Sequence, residues 1–211
     1  MAAVLFLCVM PSQSQDAWQA GVLPALHVSR GLNSDWRISL KAEARTRFYN
    51  GIYGGAATRR SEIVLSDYAL SVSRKTGLNN SVSGGYMLRL RDGGLSHRLS
   101  QQFTLVGQLS VVRLAHRFLA DETFSSGEPP EFRARYRLTG EIPLQGTSLD
   151  PGEWYVKPGA EAIAGWSGGE FEPEIRALPL FGYEITDNNK IEAGIDYRLS
   201  SFTEASSRSS Y

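Results

Sequence analysis

The 211-residue chain holds one cysteine, Cys8, and no excess of charge of either sign, with 22 Lys+Arg against 22 Asp+Glu. A lone cysteine forms no intrachain disulfide, so neither bridges nor thiol chemistry carry the fold. Balanced charge argues against a nucleic-acid partner, because a phosphate footprint needs unbalanced basic charge to displace counterions. No apolar run reaches the ~20 residues of a transmembrane helix; the longest is Met1 to Met10. No stretch holds a helical period either. Histidine is scarce, and His27, His97 and His116 lie on separate segments without ligand partners at metal spacing, so no metal and no cofactor is expected. Gly84-Gly85 and Gly168-Gly169 are followed by no lysine-bearing strand-to-helix unit, which excludes a phosphate loop.

What is present starts at the N-terminus. Met1 to Met10, followed by Pro11, Ser12, Gln13 and Ser14, fits the apolar core and small-residue cleavage site of a secretory signal. Residues 1–14 are therefore expected to be a signal peptide and residues 15–211 a single domain. The basic residues that open such a signal are missing, which keeps a buried N-terminal strand as the other reading. Leu5, Phe6 and Leu7 before Cys8 lack the small residues of a lipoprotein acylation box, so the mature chain would be cysteine-free.

From Asp35 onward the period is two. Trp36, Ile38, Leu40, Ala42, Ala44, Thr46 and Phe48 fall on one face, and Arg37, Ser39, Lys41, Glu43, Arg45 and Arg47 on the other. A helix would scatter those charges; a strand sorts them. The same sorting returns at Phe132, Ala134, Tyr136 and Leu138 against Glu131, Arg133, Arg135 and Arg137. It returns again at Ile191, Ala193, Ile195, Tyr197 and Leu199 against Lys190, Glu192, Asp196 and Arg198. Weaker alternation covers 20–30, 62–74, 81–91, 96–106, 108–120, 153–166 and 174–185, with turn clusters at 31–34, 77–80, 92–94 and 187–189. Longer connections are expected at 49–60, 121–130 and 143–152. This makes about ten strands joined mostly by short turns, an up-and-down meander.

A soluble sheet also alternates, so length and flanks must decide. The apolar face from Trp36 to Phe48, tilted near 40° at roughly 3.3 Å per residue, spans about 30 Å of membrane height, with an aromatic at each end. Strands of soluble proteins are commonly about five or six residues. In a bilayer the charged face must turn inward, since Arg or Lys facing lipid at the midplane costs roughly 2–4 kcal/mol. The expected fold is all-β, an antiparallel up-and-down transmembrane β-barrel of about 10–12 strands. Its candidate lumen-lining charges are Arg37, Lys41, Glu43, Arg45, Arg133, Arg135, Arg137, Glu161 and Arg198. They could select an anionic or saccharide solute, or neutralise one another as a plug. The narrow bore of about ten strands favours the filled lumen.

The stretches Trp36 to Arg45, His97 to Phe103, Leu114 to Phe118 and Phe132 to Leu138, with Ile142-Pro143-Leu144, resemble DUF2490, an uncharacterised family of predicted outer-membrane barrels met mostly in Bacteroidota. The resemblance runs over roughly residues 16 to 202. It implies the bacterial outer membrane as compartment, outer-membrane lipid and the barrel-assembly machinery as partners, and further envelope proteins of unknown identity. It implies no activity and no catalytic residue. Such chains usually finish on an amphipathic strand with a terminal aromatic, whereas this one ends Ser-Ser-Arg-Ser-Ser-Tyr211, a departure that points either to a sequence cut short or to a missing closing strand. The function expected is a non-enzymatic narrow channel, scaffold or envelope-complex component. Two rivals stay open. His27-Val28-Ser29 is similar to the His-x-Ser pair of a lipid A deacylase barrel, although no matching carboxylate is identifiable. A soluble periplasmic barrel binding an amphiphile would carry the same alternation with its faces reversed.

Overall fold

Alternation interrupted by short turns has no helical solution, and the computed structural model contains strands and no helix among its described residues. These are residues 2–12, 17–52, 56–91 and 94–200, with side chains placed at 20–51, 56–91 and 94–199. The strands are β1 (Ala2–Ser12), β2 (Ala17–Gly31), β3 (Trp36–Ile52), β4 (Ala57–Lys75), β5 (Asn80–Arg91), β6 (Gly94–Leu109) and β7 (Val112–Ser125). They continue with β8 (Glu131–Pro143), β9 (Trp154–Lys157), β10 (Gly159–Ser167), β11 (Glu170–Ala177), β12 (Leu180–Thr186) and β13 (Asn189–Ser200).

All thirteen belong to one sheet. The twelve strands from β2 onward pair antiparallel, each hairpin beside the next. Two prolines punctuate the series. Pro158 separates β9 from β10 and Pro179 separates β11 from β12, because proline has no N–H to give the ladder. Pairing carries through both breaks on carbonyls: Gly140 N–H donates to Pro158 O at 2.9 Å and Ile195 N–H to Pro179 O at 3.1 Å. β9–β10 and β11–β12 are therefore two passes, each broken once. β1 pairs antiparallel with β2 and parallel with β13, the one parallel ladder in the sheet.

Several boundaries differ from the sequence expectation. The 49–60 connection shrinks, since β3 continues to Ile52 and β4 starts at Ala57. Residues 121–125 are strand rather than loop, because β7 runs to Ser125 and places Asp121 and Thr123 on its sequestered face. The turn expected after Val106 lies at Ser110-Val111, where Ser110 takes a φ of 55°. The long connection after Pro143 stands where expected, and the Asp92-Gly93 turn lies outside the described residues. The segment read as a signal sequence supplies the β1 backbone as far as Ser12; residues 13–14 lie outside the described residues.

A bulge in β3 corrects the alternation at its end. Ala20 pairs with Tyr49 and Gly21 with Arg47, leaving Phe48 between the two pairs. Tyr49, 42% exposed, therefore closes the apolar face in place of Phe48. The bulge brings β3 backbone so near that a Cβ on Gly21 would stand 2.0 Å from Thr46 O. Gly21→Ala is expected to destabilise the fold by about 1–3 kcal/mol, because backbone cannot step aside as a flexible side chain would. An unfolding midpoint equal to that of the parent chain would show the bulge to be dispensable.

The sheet is inverted relative to a soluble one. Its sequestered side chains include six hydrophobic residues and eight polar or charged ones, so the protected face is the polar one. Most of the large apolar side chains lie on the other face, among them Leu40, Leu70, Phe103, Phe118, Ile175 and Ile195, all exposed, while Leu65 and Ile163 are buried on the charged face.

Candidate functional site

Residues directly opposite on neighbouring strands share a face, so the charged positions of successive strands converge on one surface. The most buried acids organise it. Asp121, 3% exposed, accepts from Arg133 Nη2 at 2.7 Å and Nε at 2.9 Å. Arg135 Nε lies 2.8 Å from its other oxygen, an ion pair without hydrogen-bond alignment, and Arg98 Nε is 3.4 Å away. Glu161, 2% exposed, is held bidentately by Arg137 through Nε and Nη2, both at 3.0 Å. Arg117 Nη2 reaches it at 3.4 Å and Arg176 Nη1 at 3.6 Å. Asp121 and Glu161 are thus each surrounded by three guanidiniums. The planar fork of arginine suits this, since it engages both oxygens of one carboxylate while stacked among its neighbours.

Smaller clusters flank this centre. Arg89 clasps Asp67 through Nε at 2.7 Å and Nη2 at 2.6 Å. Glu192 accepts from Tyr155 Oη at 2.7 Å and Lys157 Nζ at 2.9 Å. Tyr155 is fully buried because its ring lies flat over Gly182, where a Cβ would stand 2.2 Å from Cζ. Arg198 binds Asp196, Arg47 binds Glu62, and Lys41 meets Glu43 at 2.6 Å.

All nine charges singled out in the sequence share this face. Arg133, Arg135, Arg137 and Glu161 meet in the central clusters, and Lys41, Glu43 and Arg198 lie in side pairs. Arg45 stands opposite the buried Leu65, and Arg37 opposite Ser73 near the end of the sheet. Sequence reasoning missed Asp67, Arg89, Arg98, Arg117, Asp121, Arg176 and Glu192 as members. The alternation did carry a signal for Arg117, which falls in register with Arg137. Asp121 was lost to the loop assigned over it.

The histidines fall on both faces. His27 pairs in register with Lys41 and Ser29 with Ser39, so the His-x-Ser pair lies on the charged face of the sheet and not on the apolar one. His97 Nδ1 lies 2.6 Å from Tyr86 Oη and His116 Nδ1 2.9 Å from Tyr136 Oη, two Tyr–His pairs on the apolar face. Among the described residues no group of three or more His, Cys, Asp or Glu is placed to hold a metal. The chemistry available is ion pairing and anion or cation recognition.

No curated protein and no solved structure matches the chain. Residues 20–208 match the family described as "Protein of unknown function (DUF2490)". That match covers most of the chain and takes in every strand from β3 to β13, and the protein belongs to this family.

Proposed function

We propose that the protein is a non-enzymatic β-barrel of the bacterial outer membrane whose narrow lumen is filled by the ion-pair network, acting as a scaffold or a narrow channel. The observation that carries this is the inversion of burial: the charges sequestered and the large apolar side chains outside. In water that arrangement exposes a broad hydrophobic surface; against lipid it is the stable one. Aromatic residues mark both ends of the apolar face. Trp36, Trp154 and Tyr183 lie at one end, Phe132, Trp166 and Phe171 at the other. From Trp154 to Trp166 the chain climbs about 30 Å at a tilt near 40°, which matches a hydrocarbon core.

The edges support closure. β2 and β13 both pair with β1, and their inner residues share its positions: Gly21 and Asp196 partner Cys8, Ala25 and Glu192 partner Val4. If residues 1–14 are removed as a signal, β2 and β13 can meet directly, antiparallel and with inner faces aligned. The ring then has ten passes, an even number, and no open edge, which a bilayer would not tolerate. Outer-membrane lipid is the partner of the apolar face and the barrel-assembly machinery the partner in biogenesis. The lipid-hydrolase reading loses ground because His27 and Ser29 face away from lipid.

Purified protein folded in detergent is expected to migrate faster on a semi-native gel before boiling than after it, since a ring with every backbone hydrogen bond internal has no edge from which unfolding starts. Identical migration, together with a sheet-rich circular dichroism spectrum, would argue against closure.

A further inference from the structure

The connections 32–35, 76–79, 110–111, 144–153 and 187–188 gather at one end of the antiparallel passes. Between the first three of them lies a cavity of about 500 Å³. Its lining carries three cations, Arg37, Lys75 and Arg113, against one acid, Asp35. Elsewhere on the inner face the charges are largely engaged in ion pairs, whereas Arg37 and Lys75 make none among the described residues. Arg113 has only a long contact to Glu141, at 3.7 Å. Ser73 and Ser81 add hydroxyls to the same wall.

The cavity is built from tied pieces. Asn33 Oδ1 accepts from the N–H groups of Asp35 and Trp36 at 3.0 and 2.9 Å, fixing the first turn. Lys75 N–H donates to Asp35 O at 2.9 Å and Val106 N–H to Asn79 O at 2.9 Å, fixing the turn to β4 and β6 to the next turn. Across the strands the register runs Lys75, Ser81, Thr104, Arg117, one row of positions on the charged face from the cavity to the arginine cluster. There Arg117 Nε is buried without a hydrogen-bond partner.

We propose that this cavity is a binding site for a small oxyanion of the phosphate class, free or as the phosphoryl group of a small solute. Arg37 and Lys75 are its principal ligands, with Arg113 at its rim and the hydroxyls of Ser73 and Ser81 as neutral donors. Charge-assisted bonds to a multivalent oxyanion suit this set, and the single acid Asp35 repels such an anion less than the three cations attract it. A neighbouring cavity of about 460 Å³ shares Arg113 but holds Glu141, Glu184 and Asp187, so the preference for anions is local to the first. The site goes beyond the barrel reading, on which only its role as an entrance rests.

The test uses inorganic pyrophosphate titrated calorimetrically into the full chain folded in detergent. Saturable binding is expected, weakening with added salt. Arg37→Gln and Lys75→Gln should each lower affinity about tenfold. Arg60→Gln removes the same charge at the opposite end of the sheet, where Arg60 is exposed beside Glu62, and should leave affinity within about twofold. Absence of saturable binding, or equal losses for Arg60→Gln and Lys75→Gln, would overturn the site. Gel migration before and after boiling is recorded on the same preparations. Saturable binding by a protein whose migration ignores boiling would keep the site and remove the barrel.

Discussion

Leu40→Arg is expected to abolish most folding of the chain into lipid bilayers, while Lys41→Leu leaves the yield close to that of the parent. The two positions are adjacent and face opposite ways. Leu40, 59% exposed, pairs in register with Leu70 and Val28 on the apolar face. A guanidinium there would sit in hydrocarbon, at a cost of roughly 2–4 kcal/mol near the midplane. Lys41 sits on the charged face beside Glu43, with its side chain still partly open to solvent. Its removal forfeits one such pair, worth about 0–1 kcal/mol. The measurement is folding yield in vesicles against yield in lipid-free buffer. Efficient folding of the parent in buffer alone, with Leu40→Arg no worse in vesicles than in buffer, would sink the membrane assignment and favour a soluble barrel.

How much of this was legible in the sequence depended on how local the information was. Period-two alternation is a property of neighbouring residues, so it located β3, β8 and β13 and sorted their charges onto one face without reference to any partner. Partner choice is not local. That Arg137 meets Glu161 while Arg133 and Arg135 turn to Asp121 follows from the register of β7, β8 and β10, which no single strand encodes. The bulge at Phe48 is a similar case: it exists because β2 offers Gly21 where β3 must come close, a fact visible only once the strands are paired. Asp121 was hidden for a different reason. Asp121, Glu122, Ser125, Ser126 and Gly127 read as a polar loop, yet an inward carboxylate in a polar interior is consistent with strand. Rules trained on soluble sheets penalise buried acids, and this sheet buries them by design of its faces.

The largest single-site loss of stability is expected from Glu161→Gln. Burying ions costs several kcal/mol each after relaxation, and the attraction between them offsets this only while both partners are present. Among the described residues Glu161 is the one carboxylate in ion-pair reach of both Arg117 and Arg137, whereas Arg176 also holds Glu174 at 2.6 Å. Neutralising Glu161 therefore strands two guanidiniums in register on facing strands, where like charges already repel. The expected loss is about 2–4 kcal/mol, below the fully buried case because Arg117 and Arg137 keep 31% and 25% of their side chains exposed while Glu161 itself is buried. Glu62→Gln supplies the comparison. It breaks the Arg47 pair, whose two side chains are both more than a quarter exposed, and should cost about 0–1 kcal/mol. Denaturant titration in detergent, followed by the boiling-dependent gel shift, ranks the two. Pairing Glu161→Gln with Arg137→Met should recover part of the loss, because it removes one of the stranded charges along with its lost partner. Equal midpoints for Glu161→Gln and Glu62→Gln would mean that water or a bound ion solvates the central arginines, and the filled-lumen reading would give way to an open, hydrated pore.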